Sequence, residues 1–140
     1  MKRFEVVEHT ADVGILVYGK NLPELFENAP FGMFSILVED LLEKVKPLEK
    51  IEIQVDGVDF ESLLVNFLNE LVFLFSARKM LFVDFKVLSL EKYFVKAEVF
   101  GEKIDPTRHK LNFEIKSATY HNLKIEKVDD TWRCQIIFDV

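Results

Sequence analysis

The pattern of apolar and polar positions along the chain predicts short strands that alternate with two helices. Residues 51–56 alternate strictly between apolar and polar side chains, which is typical of a strand with one buried face. Runs of β-branched and aromatic residues, bounded by turn residues, predict further strands. The predicted strands are residues 4–8, 13–20, 51–56, 81–88, 93–100, 111–120, 123–128 and 132–138. In the last one, alternate side chains from Trp132 to Phe138 are apolar, so we expect them to face the core.

The first helix is predicted from apolar residues at helical spacing that begin at Leu22. Asn21 has the side chain of an N-cap, and Glu24 follows three residues later, as in a capping box. Pro30 lies inside this helix. Because a proline there removes a backbone hydrogen bond, we expect a kink or break near Ala29.

The second helix is predicted to start after an N-cap at Asp59 and to run to about Ala77. Its polar residues fall on one narrow stripe, formed by Ser62, Asn66, Asn69 and Glu70. A helix this apolar is expected to be buried and central. A lone acid on it needs a partner, so Glu70 is expected to pair with Lys116 or with a histidine. The whole pattern predicts one α+β domain over residues 1–140, with a mixed, largely antiparallel sheet and two helices packed on it.

Composition and charge narrow the classes of function. The 140 residues are 49% apolar and 30% charged, which suits a folded domain rather than a disordered chain. The net charge of −6 argues against a broad basic surface for nucleic acid. The longest apolar run, residues 71–75, is far shorter than the roughly 20 residues of a membrane span, so none is expected. The single cysteine, Cys134, and the missing signal region fit a reducing cytoplasm.

Acids at two predicted strand ends are the first candidate for chemistry, because the common catalytic motifs are missing. The sequence has no phosphate-binding glycine loop, dinucleotide fingerprint, paired-cysteine zinc motif or nucleophile elbow. Asp12 closes the turn His9-Thr10-Ala11-Asp12, and Asp139 lies beside the terminal carboxylate of Val140. Carboxylates and a backbone carbonyl are the ligands of hard divalent cations. From the residues alone, however, a turn acid and a loose chain end are the simpler interpretation.

A basic cluster is the second candidate, and it consists of Arg108, His109, Lys116 and His121. It concentrates positive charge in an acidic chain and could bind a phosphate or an acidic partner. A turn followed by a strand with a polar outer face explains the same residues without any ligand. On spacing alone, that second explanation is the better one.

Five motifs, in order over essentially the whole chain, resemble the archease family. They are His9-Thr10-Ala11-Asp12, residues 64–71 (Leu-Val-Asn-Phe-Leu-Asn-Glu-Leu), residues 104–109 (Ile-Asp-Pro-Thr-Arg-His), residues 116–121 (Lys-Ser-Ala-Thr-Tyr-His), and the ending with Trp132 and residues 137–140 (Ile-Phe-Asp-Val). The resemblance implies an activator of the GTP-dependent RNA-splicing ligase, which joins tRNA halves through a 2′,3′-cyclic phosphate or 3′-phosphate end. Such proteins promote guanylylation of the ligase and do not join RNA themselves. The resemblance also implies a calcium-type site at Asp12, Asp139 and Val140.

We therefore predict a non-enzymatic, cytoplasmic activator whose partner is the tRNA-splicing ligase, with a divalent metal, expected to be Ca²⁺, and without strong nucleic-acid or membrane binding. The predicted supporting polar shell is His9, Lys116, His121 and Glu70. Two alternatives stay open. One is a stand-alone metal-dependent phosphoesterase with His9 as general acid–base, although one acid pair and one histidine are a thin set for activating water. The other is a chaperone or adaptor for RNA-modifying enzymes.

Overall fold

The strands form two separate sheets in the computed structural model, which describes residues 2–8 and 12–140. The first sheet has the order β1-β2-β8-β6, with β7 pairing β8 as well, and the second has the order β3-β5-β4. In chain order the elements are β1 (Phe4–Glu8), β2 (Val13–Gly19), α1 (Leu22–Leu37), α2 (Leu41–Lys44), β3 (Glu49–Asp56), α3 (Phe60–Arg78), β4 (Met80–Glu91), β5 (Phe94–Lys103), β6 (Ser117–Ala118), β7 (Glu126–Val128) and β8 (Thr131–Asp139).

The predicted α+β class is confirmed, and each strand pairing in the described part of the chain is antiparallel. The strands divide between two sheets, however, where the sequence pattern indicated one. Helix α1 contacts β2 of the first sheet and β4 of the second, so it joins both. The buried apolar side chains form one contiguous core between these layers.

Helix α1 starts at its predicted cap but does not break at its proline. The side chain of Asn21 accepts a hydrogen bond of 2.8 Å from the N–H of Glu24. The expectation near Ala29 was a kink or a break; Pro30 is buried inside a helix that continues to Leu37, so no break occurs there. A proline in a helix interior costs about 3 kcal/mol. Burial of α1 against both sheets offsets that cost, because each fully buried large apolar side chain contributes about 1.5–3 kcal/mol.

Helix α3 also begins as predicted, and it packs against both sheets and α1. The carboxylate of Asp59 accepts from the N–H of Ser62 at 2.7 Å, and the hydroxyl of Ser62 accepts in return from the N–H of Asp59. By length and composition α3 is the one helix among the described residues that could cross a membrane. More than half of its most apolar window is buried inside the protein, as in the core helix of a soluble domain, so this is weak evidence for a span.

The segment between β5 and β8 contains far less strand than the sequence predicts. Of residues 111–120, only Ser117 and Ala118 lie in a strand. The start of the segment bonds to helix α1 instead, because the N–H of Asn112 donates to Leu37 O and its side-chain amide donates to Ile36 O. The predicted strand at 123–128 is likewise reduced to β7.

Candidate functional site

Asp12 and Asp139, the two acidic residues predicted as metal ligands, lie at the ends of neighbouring strands. Strand β2 pairs β8 with Val13 opposite Phe138, so Asp12 and Asp139 each lie one residue beyond this last pair. Asp139 and Val140 are exposed, and Asp12 is half-buried. Strand β2, which follows the first turn, is thus a neighbour of the last strand in the sheet, whereas residues 9–11 of the turn lie outside the described residues. We call Asp12, Asp139 and Val140 the acidic edge.

Strand β6 lies on the other side of Asp139 and brings Lys116 to the acidic edge. Ser117 pairs with Asp139, and the N–H of Lys116 donates to the carbonyl of Asp139 at 2.8 Å. The side chain of Lys116 is exposed and has no ion-pair partner among residues 2–8 and 12–140. Thr119 also bonds to strand β8, because both its N–H and its hydroxyl donate to the carbonyl of Ile137. His121 follows on the next turn, where it is exposed.

The side chain of Asn69 fixes this short strand to helix α3. Its carboxamide oxygen accepts from the N–H of Ala118 at 2.7 Å, and its amide donates to the carbonyl of Ala118 at 3.2 Å. The sequence analysis placed Asn69 on the polar stripe of α3 but gave it no role. The residue type alone allowed this role, because the carboxamide of an asparagine can accept from the N–H and donate to the carbonyl of one and the same residue.

The donors of the acidic edge suit a hard divalent cation. Carboxylate and backbone oxygens are the ligands that Ca²⁺ takes in proteins, and Asp12, Asp139 and Val140 supply both kinds. No set of three or more His, Cys, Asp or Glu side chains in the described part of the chain is arranged to hold a metal. The acidic edge has two such side chains, and its third donor would be an oxygen of Val140. The predicted contribution of His9 lies outside the described residues.

Glu70 lies apart from the acidic edge, so the predicted pairing with Lys116 is wrong. Glu70 is exposed and lines a shallow cleft with Gln54, Asp56 and Phe94, next to strands β3 and β5. Among the described residues it has no ion-pair partner. The exposure of Glu70 explains this, because an acid in contact with water needs no partner. Glu70 is therefore not part of the supporting shell.

The predicted basic cluster is divided, because Arg108 and His109 are tied to a buried acid. The carboxylate of Glu102, only 5% exposed, accepts from Arg108, from the N–H of Lys46 and from His109. Burial alone would raise the pKa of Glu102, but the hydrogen bonds from Arg108 and Lys46 and the charge of Arg108 outweigh it and hold that pKa below its ordinary value. These residues form a structural network rather than an open anion site.

The hydrogen bonds of His109 define its tautomer. Its Nδ1 accepts from the N–H of Asp105 at 2.9 Å, so the proton resides on Nε2. That nitrogen lies 2.9 Å from the carbonyl of Lys44 and 3.2 Å from the carboxylate of Glu102. With both nitrogens engaged and the ring buried, His109 is a structural histidine.

Cys134 is buried on β8, as predicted from its position between Trp132 and Ile136. It is 3% exposed, and burial raises the pKa of its thiol to about 12, with a smaller contribution from the charge of Glu61. A thiol that stays protonated at neutral pH is neither a nucleophile nor a metal ligand. The expectation that Cys134 serves as a small apolar side chain therefore agrees with the structure.

These observations define a class of small α+β proteins with two antiparallel sheets. In this class, acidic residues lie at the end of the first sheet where β2 pairs with the last strand, β8. The chain belongs to the archease family. The model of the archease protein family (MTH1598/TM1083) matches residues 4–140. The family predicted from the five motifs is thus confirmed.

Relatives and solved structures agree with this assignment over the full length of the chain. Protein archease of Pyrococcus abyssi is 43% identical over 145 residues, covering 100% of both chains. That of Methanosarcina mazei is 38% identical and covers 99% of this chain and 97% of its own. The solution structure of Methanobacterium thermoautotrophicum protein 1598 has a TM-score of 0.83 at 30% identity, with complete coverage of both chains. The crystal structure of a Thermotoga maritima protein, described as "an archease, possible chaperone", shares the fold with a TM-score of 0.60 at 22% identity, covering 96% and 94%.

Proposed function

We propose that this protein is a non-catalytic, cytoplasmic activator of the GTP-dependent tRNA-splicing ligase and acts through a divalent cation held at the acidic edge. The observation that carries the proposal is the register of β2, β8 and β6, which gathers Asp12, Asp139 and Lys116 at one end of the first sheet. Membership of the archease family supports the role of a protein that acts on another protein.

Each residue of the edge has a distinct part in this proposal. Asp12 and Asp139 would hold the cation with their carboxylates, and Val140 would add an oxygen. Bound there, the cation would supply positive charge for phosphate oxygens. Lys116 has its backbone fixed on Asp139, so its ammonium would add a second positive charge beside the acids. The protein would then speed guanylylation by positioning the ligase and its nucleotide, and it would catalyse no step itself.

The experiment compares guanylylation of the ligase by GTP with and without the protein, using Asp12→Ala and Asp139→Ala as separate variants. Both positions are accessible at strand ends, where substitutions change stability by about 0.5 kcal/mol or less, so both variants should fold. Each should lose stimulation together with calorimetric Ca²⁺ binding. The unassisted ligase should keep its basal rate.

Asp56→Ala is the matched control, because Asp56 is an exposed aspartate at the end of a strand in the other sheet. It should stimulate as well as the wild type. Full stimulation by Asp12→Ala and Asp139→Ala would exclude the acidic edge as the active region. Metal-dependent release of phosphate from cyclic-phosphate RNA by the isolated protein would favour a phosphoesterase instead.

A further inference from the structure

A second feature lies next to the acidic edge and shares only Lys116 with the function proposed above. It is a cleft of about 370 Å³ between the end of α3 and the segment that leads into β6. Its apolar wall is formed by Phe75, Ile104, Leu111 and Ile115, of which the first and last are almost fully buried. Lys79 and Lys116 line its polar side, together with Ser76 and Glu114.

The backbone groups of the two lysines of this cleft are held by hydrogen bonds. Lys79 ends α3 in the left-handed conformation (φ 57°), its N–H donates to Leu74 O, and its carbonyl accepts from the N–H of Ile104 at 2.7 Å. Lys116 is fixed through its N–H on Asp139. Because both backbones are held, a ligand that meets these lysines pays little for ordering the main chain.

The charge of the cleft is opposite to that of the protein as a whole. The chain carries −6, but two lysines face one glutamate in the cleft. Neither lysine has an ion-pair partner in residues 2–8 and 12–140. Two uncompensated ammonium groups beside an apolar wall are complementary to a ligand that combines a carboxylate with an apolar side chain. The volume falls within the range of about 300–1,000 Å³ for binding clefts.

We propose that the cleft is a docking site for an acidic segment of the ligase that carries at least one large apolar side chain. This inference rests on the proposed function, because it takes the ligase as the partner. Lys116 belongs to both the cleft and the vicinity of the acidic edge, so a segment seated in the cleft would hold the ligase against that edge. The cleft supplies affinity, and the acidic edge supplies activation.

Two substitutions outside the acidic edge test this docking site. Ser76→Trp places a large side chain into the cleft from an exposed helix position, and Lys79→Glu reverses one charge. Titration calorimetry with the purified ligase should show binding weakened about tenfold or more by each. Ala77→Trp, which adds the same side chain at an exposed position of α3 outside the cleft lining, and Lys86→Glu, which reverses an exposed charge on β4, should stay within about twofold of the wild type.

Two further measurements separate docking from activation. Calcium titration should give the same affinity for Ser76→Trp, Lys79→Glu and the wild type, with unchanged urea unfolding as the check on folding. Raising the concentration of either variant should restore full guanylylation, whereas no concentration of Asp139→Ala should.

Ligase affinities that are unchanged in both cleft variants would overturn the docking site and leave the acidic edge standing. Binding of tRNA halves that is lost in Lys79→Glu, with ligase affinity unchanged, would also overturn it and assign the cleft to nucleic acid. Conversely, loss of activity in Asp139→Ala with normal ligase affinity, alongside weak affinity in the cleft variants, would support both proposals.

Discussion

Replacing Asn69 with alanine should loosen the strand that flanks the acidic edge. The change removes both hydrogen bonds to Ala118, each of which contributes about 1 kcal/mol. Ala118 is 4% exposed, so its N–H would be left without water or partner, which costs about 1–3 kcal/mol by itself. We therefore expect a loss of about 2–3 kcal/mol in the free energy of unfolding.

Urea unfolding followed by the fluorescence of Trp132 measures this loss directly. Trp132 is the single tryptophan and lies in β8, the strand that pairs with β6. With a slope of about 2 kcal/mol per molar urea, the midpoint should fall by about 1 M. The melting temperature should fall by about 7–10 °C for a chain of this size.

Asn66→Ala is the control for helix propensity and for loss of an amide. Asn66 lies one turn earlier on the same helix, is exposed, and donates a single hydrogen bond of 2.9 Å to the carbonyl of Asp56. Its loss should cost about 0.5 kcal/mol, as at other surface positions. If Asn69→Ala proves no more destabilising than Asn66→Ala, then Asn69 does not hold β6, and the explanation of how the acidic edge is positioned fails.

Two further predictions follow from buried ionisable groups. The folded-state pKa of Glu102 is depressed, so its ionised carboxylate stabilises the fold fully above the ordinary pKa of 4.5, and this stabilisation is lost as the pH falls through the folded-state pKa. Glu102→Gln should therefore be less stable than the wild type near pH 7. In urea unfolding at several pH values, this difference in the free energy of unfolding should become smaller in acid. A constant difference would contradict this. Cys134, whose pKa is raised to about 12, should not react with a disulfide reagent at neutral pH until the protein is unfolded, as absorbance of the released thiolate would show. Rapid labelling of the native protein would disprove its burial.

Local signals in the sequence predicted the helices and the buried strands well. Asn21 and Asp59 begin their helices as expected because a cap depends on residues only three positions away. The alternation in β3 and β8 was equally clear, since one face of each strand meets the core. The resemblance to the archease family added the expectation that the first turn and the last strand are neighbours, which no local pattern contains; strands β2 and β8 do pair.

Long-range hydrogen bonds account for what the sequence did not predict. Residues 111–120 have strand composition, but they bond to Leu37 and Asn69, which are far away in the chain. Arg108 and His109 look like an open basic site until the buried carboxylate of Glu102 is brought to them by folding. Glu70 looked buried because its helix is so apolar, yet Glu70 and Asn66 lie on the exposed side of α3.

The left-handed end of α3 has a consequence for attempts to make this protein more heat-resistant. Glycine adopts that conformation without penalty, whereas other residues lose about 1 kcal/mol or more there. Lys79→Gly is thus the obvious stabilising substitution at this helix end, and it would also remove one of the two positive charges of the cleft. If the cleft is the docking site proposed above, the substitution that stabilises the helix end would therefore weaken binding of the partner.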